Sequence, residues 1–161
     1  MQKNKTLSLA MGGVIAALYV VLTYIANLLG LASGVIQVRL SEALTILPVF
    51  TPAAIPGLTI GCVLANWVTG CLPWDIVFGS LATLIGAVGT RVLKKNPYIA
   101  WIPPVVSNMA IVPIVLQKVY GLTDAWWYLV LTVGAGEVIS CGVLGLLLYQ
   151  SRKRVPQLKQ L

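Results

Sequence analysis

Long apolar runs, separated by short polar or glycine- and proline-rich breaks, make up almost the whole chain. The first run covers about residues 7–29 and leads into a small-residue loop at 30–34. Residues 35–40 read as extended or loop-like. Ser41 is placed to cap a helix that starts at Glu42 and ends near Phe50. That second helix reaches spanning length only if it begins nearer Val35. The uncharged stretch 51–56, with Pro52 and Pro56, predicts a tight turn. Further helices are predicted over about 57–69, 76–93, 98–117 and 126–149, with loops at 70–75 and 121–124. No long linker or low-complexity stretch divides the chain, so residues 1–161 read as one domain.

Composition turns these runs into spans. Of 161 residues, 58% are hydrophobic and 9% are charged, and the mean hydropathy is +0.92. A soluble domain carries roughly 25% charge and about 45–50% apolar residues. The excess argues against a soluble enzyme, a disordered tail or a coiled coil. It predicts an all-α integral membrane protein. A spanning helix takes ~20 residues, so a bundle of six transmembrane helices uses ~120 and leaves ~40 for loops. The first run is also too long for the apolar core of a signal peptide, roughly 7–15 residues.

The net charge of +7 is distributed as loop charge, without the aromatic-interleaved basic face of a nucleic-acid binder. Six spans with both termini cytoplasmic place Lys3, Lys5, Arg91, Lys94, Lys95, Arg152, Lys153, Arg154 and Lys159 inside. Only Arg39 and Lys118 fall outside, as the positive-inside bias requires. Trp67, Trp74, Trp126 and Trp127 then mark the outer interface, and Tyr98, Trp101 and Tyr149 the inner one.

Small residues recur at four-residue spacing, which lets helix backbones approach closely in lipid. Gly57, Gly61 and Ala65 read as packing within the bundle. Gly12/Ala16 and Gly13/Ala17 on the first span face either another helix of this chain or another subunit, and spacing alone does not choose. Pro103, Pro104 and Pro113 interrupt the fifth span, either as a kink or as the border of a cavity. Cys62, Cys71 and Cys141 lie in or beside apolar segments, with no CxxC and no histidine. They read as small buried apolar side chains, so no zinc site or cofactor is expected.

Carboxylates inside a bilayer are costly, about 2.5–3.5 kcal/mol on insertion scales, and so are functional candidates. Glu137 lies about eleven residues into the last span, roughly 16 Å down a helix rising 1.5 Å per residue and near the midplane of a ~30 Å core. With no basic residue at that depth, it either contacts a ligand or is held neutral by partners such as Asn108. Glu42, Arg39 and Gln37 cluster near the outer start of the second helix. There Glu42 either contacts ligand or favours the positive helix end, paired with Arg39. Asp75 and Asn66 sit near the outer ends of their spans, in interfacial or site roles, and Asn108 lies deeper. Three acids, several amides and abundant tryptophan in the outer half suit a small planar, donor-rich solute. There is no GxxxxGK[ST] phosphate loop, and no nucleophile stands beside a recognisable base.

Several blocks, in order along nearly the whole chain, resemble the QueT family. The run Val38-Arg39-Leu40-Ser41-Glu42-Ala43-Leu44-Thr45-Ile46-Leu47-Pro48 resembles its R-x-S-E-A-L-T signature. Similar blocks are Ala54-Ile55-Pro56-Gly57, Gly61-Cys62-Val63-Leu64-Ala65-Asn66, Asp75-Ile76-Val77-Phe78-Gly79-Ser80-Leu81-Ala82-Thr83-Leu84, and Gly136-Glu137 followed by Ser140-Cys141. The resemblance implies a six-helix S component of an energy-coupling factor (ECF) transporter in a bacterial cell membrane. Such a subunit captures a queuosine precursor from outside, a 7-deazaguanine such as the 7-aminomethyl compound or its nitrile precursor. It works with a transmembrane coupling subunit and two cytoplasmic ATPases. The resemblance also implies that the first-helix small-residue motif docks the coupling subunit, through Gly13 and Ala17 or Gly12 and Ala16. The usual motif has two alanines, so glycine at its first position is a departure. Glu137 and Glu42 become the natural pair to read the base, with Asn66, Asp75 and Asn108 beside them. The residues keep one alternative open, an autonomous proton-coupled carrier of a small amine or nucleobase-like solute that uses Glu137.

Overall fold

The computed structural model describes residues 2–31 and 36–154. Every regular element among them is helical: α1 (Gln2–Leu28), a 3-10 segment (Leu40–Val49), α2 (Ala54–Val68), α3 (Pro73–Val92), α4 (Ile102–Lys118) and α5 (Trp126–Glu137). From α5 the chain continues without a break through a π segment (Val138–Leu144) into α6 (Gly145–Arg154). Three stretches, Lys5–Leu28, Pro73–Val92 and Trp126–Arg152, are long and apolar enough to cross a membrane. The expected loop at 30–34 lies largely outside the described residues, as do Val35 and Lys159.

The second element differs from its expectation. It is a 3-10 helix, and Arg39 rather than Ser41 occupies the position before it, with no side-chain cap. Two local features favour the tighter winding. The Thr45 hydroxyl takes the Glu42 carbonyl three residues back (2.6 Å), and Pro48 has no N–H to continue an α ladder. The Arg91 guanidinium donates to the carbonyls of Pro48 (2.9 Å) and Val49 (3.2 Å), closing its C-terminal end. The segment runs through the centre of the bundle, in contact with α1, α2, α3, α6 and the π segment. Ser41, Glu42, Thr45 and Ile46 on it are all buried.

Close helix contacts follow the small residues. A Cβ on Gly57 would come 2.7 Å from the Gly12 carbonyl oxygen, and one on Gly61 would come 3.0 Å from Ala16 Cα. The row Gly57, Gly61 and Ala65 is therefore internal packing, as its spacing predicts, and its counterpart on α1 is Gly12/Ala16. Gly13 and Ala17 point the other way: both are exposed, and among the described residues nothing lies within 4 Å of a Cβ on Gly13. At the α3–α4 seam, Cβ atoms on Gly86 and Gly89 would strike Pro104 and Pro103. Those prolines sit in the first turn of α4, where a missing N–H costs nothing. They begin the helix rather than break it, and only Pro113 lies inside.

The aromatic residues gather at two ends. Trp67, Trp74, Trp126 and Trp127 are all exposed. At the opposite end Phe50 stacks on Tyr149 (5.5 Å), Tyr98 meets Tyr149 edge-on and Arg152 lies 3.8 Å over the Phe50 ring. Tyr149, expected at an interface, is buried.

Candidate solute site

The extended residues 37–39 lie along the last helix. A Cβ on Gly136 would collide with the Gln37 carbonyl oxygen, and the Arg39 backbone N–H donates to the Ser140 hydroxyl (3.1 Å). This leads the chain directly into the 3-10 segment and sets Glu42 opposite Glu137. One carboxylate oxygen of each and the Cys141 sulfur lie within 4.8 Å of one another. All three residues are buried, Glu42 to 2% exposure and Glu137 to 7%. Glu137 is the last residue of α5 before the π segment, a geometry that recurs at functional sites.

The partners of these acids are specific. Glu42 Oε1 accepts from the Tyr19 hydroxyl, while Glu42 Oε2 is buried with no hydrogen-bond partner among the described residues. Glu137 Oε2 accepts from the Cys141 thiol (3.2 Å), and the Asn108 side chain stands beside the same carboxylate. Thr45 Oγ1 lies 3.4 Å from the Cys141 sulfur. A buried carboxylate oxygen with no donor is costly.

Two cavities open beside this pair. One, about 210 Å³, is walled by Glu137, Arg39, Gln37, Thr132, Tyr128 and Asp124 among others. The second, about 350 Å³, is walled by Tyr19, Ser41, Asn66, Asp75, Tyr120 and again Arg39 and Gln37. They meet at Gln37, Arg39, Val112, Leu116 and Leu122. The larger is within the roughly 300–1,000 Å³ of small-molecule pockets. Arg39 stands between them in electrostatic range of Glu137, Asp75 and Glu42.

Of the predicted site residues, Arg39, Glu137, Asn66 and Asp75 wall the cavities. Asn108 and Glu42 are buried close to Glu137 and are not among the residues walling either cavity. The Asn66 amide approaches Cys62 Sγ at 3.5 Å, and Asp75 Oδ2 accepts from Tyr120 (3.0 Å). Burial first, then the Asp75 charge, push the Tyr120 hydroxyl up to about 12. Tyr19, Thr45, Tyr120, Tyr128 and the thiol of Cys141 escaped the sequence reading. Tyr19 is one of two tyrosines, with Tyr24, in an apolar helix, and nothing local tells it from core. The i, i+4 spacing of Glu137 and Cys141 was the one available signal.

No solved structure matches the chain. Over 86 residues it is 37% identical to the queuosine precursor transporter QueT of Lactococcus lactis subsp. cremoris (strain MG1363), covering 53% of this chain and 50% of that protein. The match therefore spans about half the length of that relative. The family model described as QueT transporter matches residues 9–154, which contain the buried acids and both cavities, and the chain belongs to the QueT transporter family.

Proposed function

We propose that this chain is the solute-binding membrane subunit, or S component, of an ECF importer, and that it captures a 7-deazaguanine queuosine precursor from outside the cell. The name of the Lactococcus relative supports the solute class. The observation that carries the reading is Glu137, a buried carboxylate in the wall of a cavity shared with Arg39 and Gln37. A guanine-like edge presents N–H and NH2 donors side by side, and one carboxylate can accept both. Asn66, Asp75 and Arg39 supply further polar contacts around the ring.

The frame is six spans with both termini cytoplasmic. The cavities open at the tryptophan-rich outer end, while Arg91 and Arg152 lie at the inner end with Phe50 and Tyr149. ATP hydrolysis belongs to two cytoplasmic partner subunits, joined through a transmembrane coupling subunit. The exposed Gly13/Ala17 row is the docking surface for that subunit, since Gly12/Ala16 is used against α2.

Calorimetry on the purified protein in detergent, against a panel of 7-deazapurines and vitamins, tests the reading. Glu137→Gln keeps the shape but turns one acceptor into a donor facing a donor. The expected loss is about 2–4 kcal/mol, or roughly 30- to 1,000-fold in affinity. Binding within threefold of wild type would take the base-reading role from Glu137. No binding to any deazapurine by a folded wild-type protein refutes the solute class.

A further inference from the structure

We propose that Glu42, Glu137 and Cys141 form a buried site for a divalent, sulfur-seeking metal ion of the zinc class, behind the solute cavity. Glu42 Oε2 is buried without a hydrogen-bond partner among the described residues, on a side chain only 2% exposed. The second carboxylate and the thiol converge within 4.8 Å. Neither Glu42 nor Cys141 walls either cavity.

The chemistry of the three ligands narrows which ion. Zinc–oxygen bonds of about 2.0 Å and zinc–sulfur bonds of about 2.3 Å give an oxygen–sulfur edge of roughly 3.5 Å in a tetrahedron. The Glu137 Oε2–Cys141 Sγ separation is already 3.2 Å. The Glu42 oxygen lies at most 4.8 Å from the other two ligand atoms, so a side-chain shift on the order of 1 Å would complete the tetrahedral edge. A thiolate among carboxylates excludes magnesium and calcium, which take oxygen alone. The thiol proton is released to water as the ion binds. Three protein ligands leave a fourth position, and Thr45 Oγ1, 3.4 Å from the sulfur, stands beside it. Tyr19 donates to Glu42, the outer contact that orients a metal-bound carboxylate. Bound this way, the dication offsets two of the three negative charges of Glu42, Glu137 and the Cys141 thiolate, and the second oxygen of Glu137 alone faces the cavity to accept from the solute edge.

The test uses cobalt(II) as the probe on the full-length protein in detergent, with zinc competition. Wild type is expected to take up one cobalt, with a thiolate-to-cobalt charge-transfer band and tetrahedral visible bands that zinc abolishes. Cys141→Ser should lose the charge-transfer band while its unfolding temperature stays that of wild type. Glu42→Gln should weaken cobalt binding at least about tenfold. Cys62→Ser and Cys71→Ser should leave the band in place. Absence of the band in folded wild type, or its persistence in Cys141→Ser, overturns the site. Titration of a 7-deazaguanine into the same preparation keeps the two readings apart. Solute binding without the cobalt band rejects the ion alone, and the band without solute binding upholds the ion while rejecting the proposed solute.

Discussion

Replacing Gly61 with alanine perturbs the α1–α2 seam and, through it, the site. The added Cβ would lie 2.8 Å from Tyr19 Cβ and 3.0 Å from both the Cα and the carbonyl oxygen of Ala16. Carbon contacts are comfortable from about 3.5 Å, so the two helices must part by roughly 0.5–1 Å. A gap of that size forfeits about a quarter to a half of each dispersion contact along the seam. Overpacking of this kind costs about 1–3 kcal/mol. In a chain of this length each kcal/mol moves Tm by roughly 2–4 °C, so thermal unfolding in detergent should fall by roughly 2–12 °C. The same displacement carries Tyr19 away from Glu42, and solute affinity should drop with it. Gly13→Ala is the matched control, because its Cβ meets nothing within 4 Å and removing a mid-helix glycine favours the helix by about 0.5–1 kcal/mol. If Gly61→Ala unfolds with wild type, or if Gly13→Ala is equally damaged, the assignment of Gly12/Ala16 to the interior seam is wrong.

Ala17 is exposed on the opposite face of α1, so Ala17→Trp should abolish uptake by the assembled importer while solute binding in detergent stays unchanged; intact uptake removes the docking role. Cysteine introduced at Lys94 should resist a membrane-impermeant thiol reagent applied from outside the cell, and strong labelling there contradicts the orientation. Tyr120 donates to Asp75 only while protonated, and burial holds its pKa at about 12, above the ordinary value of about 10. The contact is therefore complete below about pH 10 and is lost as pH rises through about 12. The difference in Tm between wild type and Tyr120→Phe should shrink across that window, and a difference constant through it refutes the assignment.

The apolar runs made the long helices legible, because each is continuous over a bilayer's thickness and is bounded by glycine, proline or charge. What stayed hidden was rotation. Four-residue spacing shows that Gly12/Ala16 and Gly13/Ala17 each form a row, but which row faces α2 depends on where Gly57 and Gly61 lie. The prolines at 103 and 104 were read as a break, yet at the start of a helix the same residues fit without loss. The candidate acids were legible through their insertion cost, which needs no fold. Their partners were not. Tyr19, Thr45 and Cys141 become polar partners only when α1, the 3-10 segment and the π segment meet, and absence of histidine and of CxxC says nothing about such a meeting.

The two departures from α geometry explain each other. The last helix runs from Glu137, beside Glu42, to Tyr149, stacked on Phe50. Wound wholly as an α-helix at ~1.5 Å per residue that would be roughly 18 Å, and the wider π turns at Val138–Leu144 bring it somewhat below that. The segment alongside has only the residues from Glu42 to Phe50 to cover the same depth. Wound as an α-helix they would rise ~12 Å; wound as a 3-10 helix, at ~2.0 Å per residue, they rise ~16 Å. The tighter winding supplies the missing length, so that one short element touches the acid pair at one end and the aromatic cluster at the other. The π segment completes the match from the other side by turning the last helix between Glu137 and Tyr149, which keeps both on the face towards the 3-10 segment. Removing Pro48 or the Thr45 hydroxyl would weaken the 3-10 winding and shorten the segment, and either Glu42 would leave Glu137 or Phe50 would leave Tyr149.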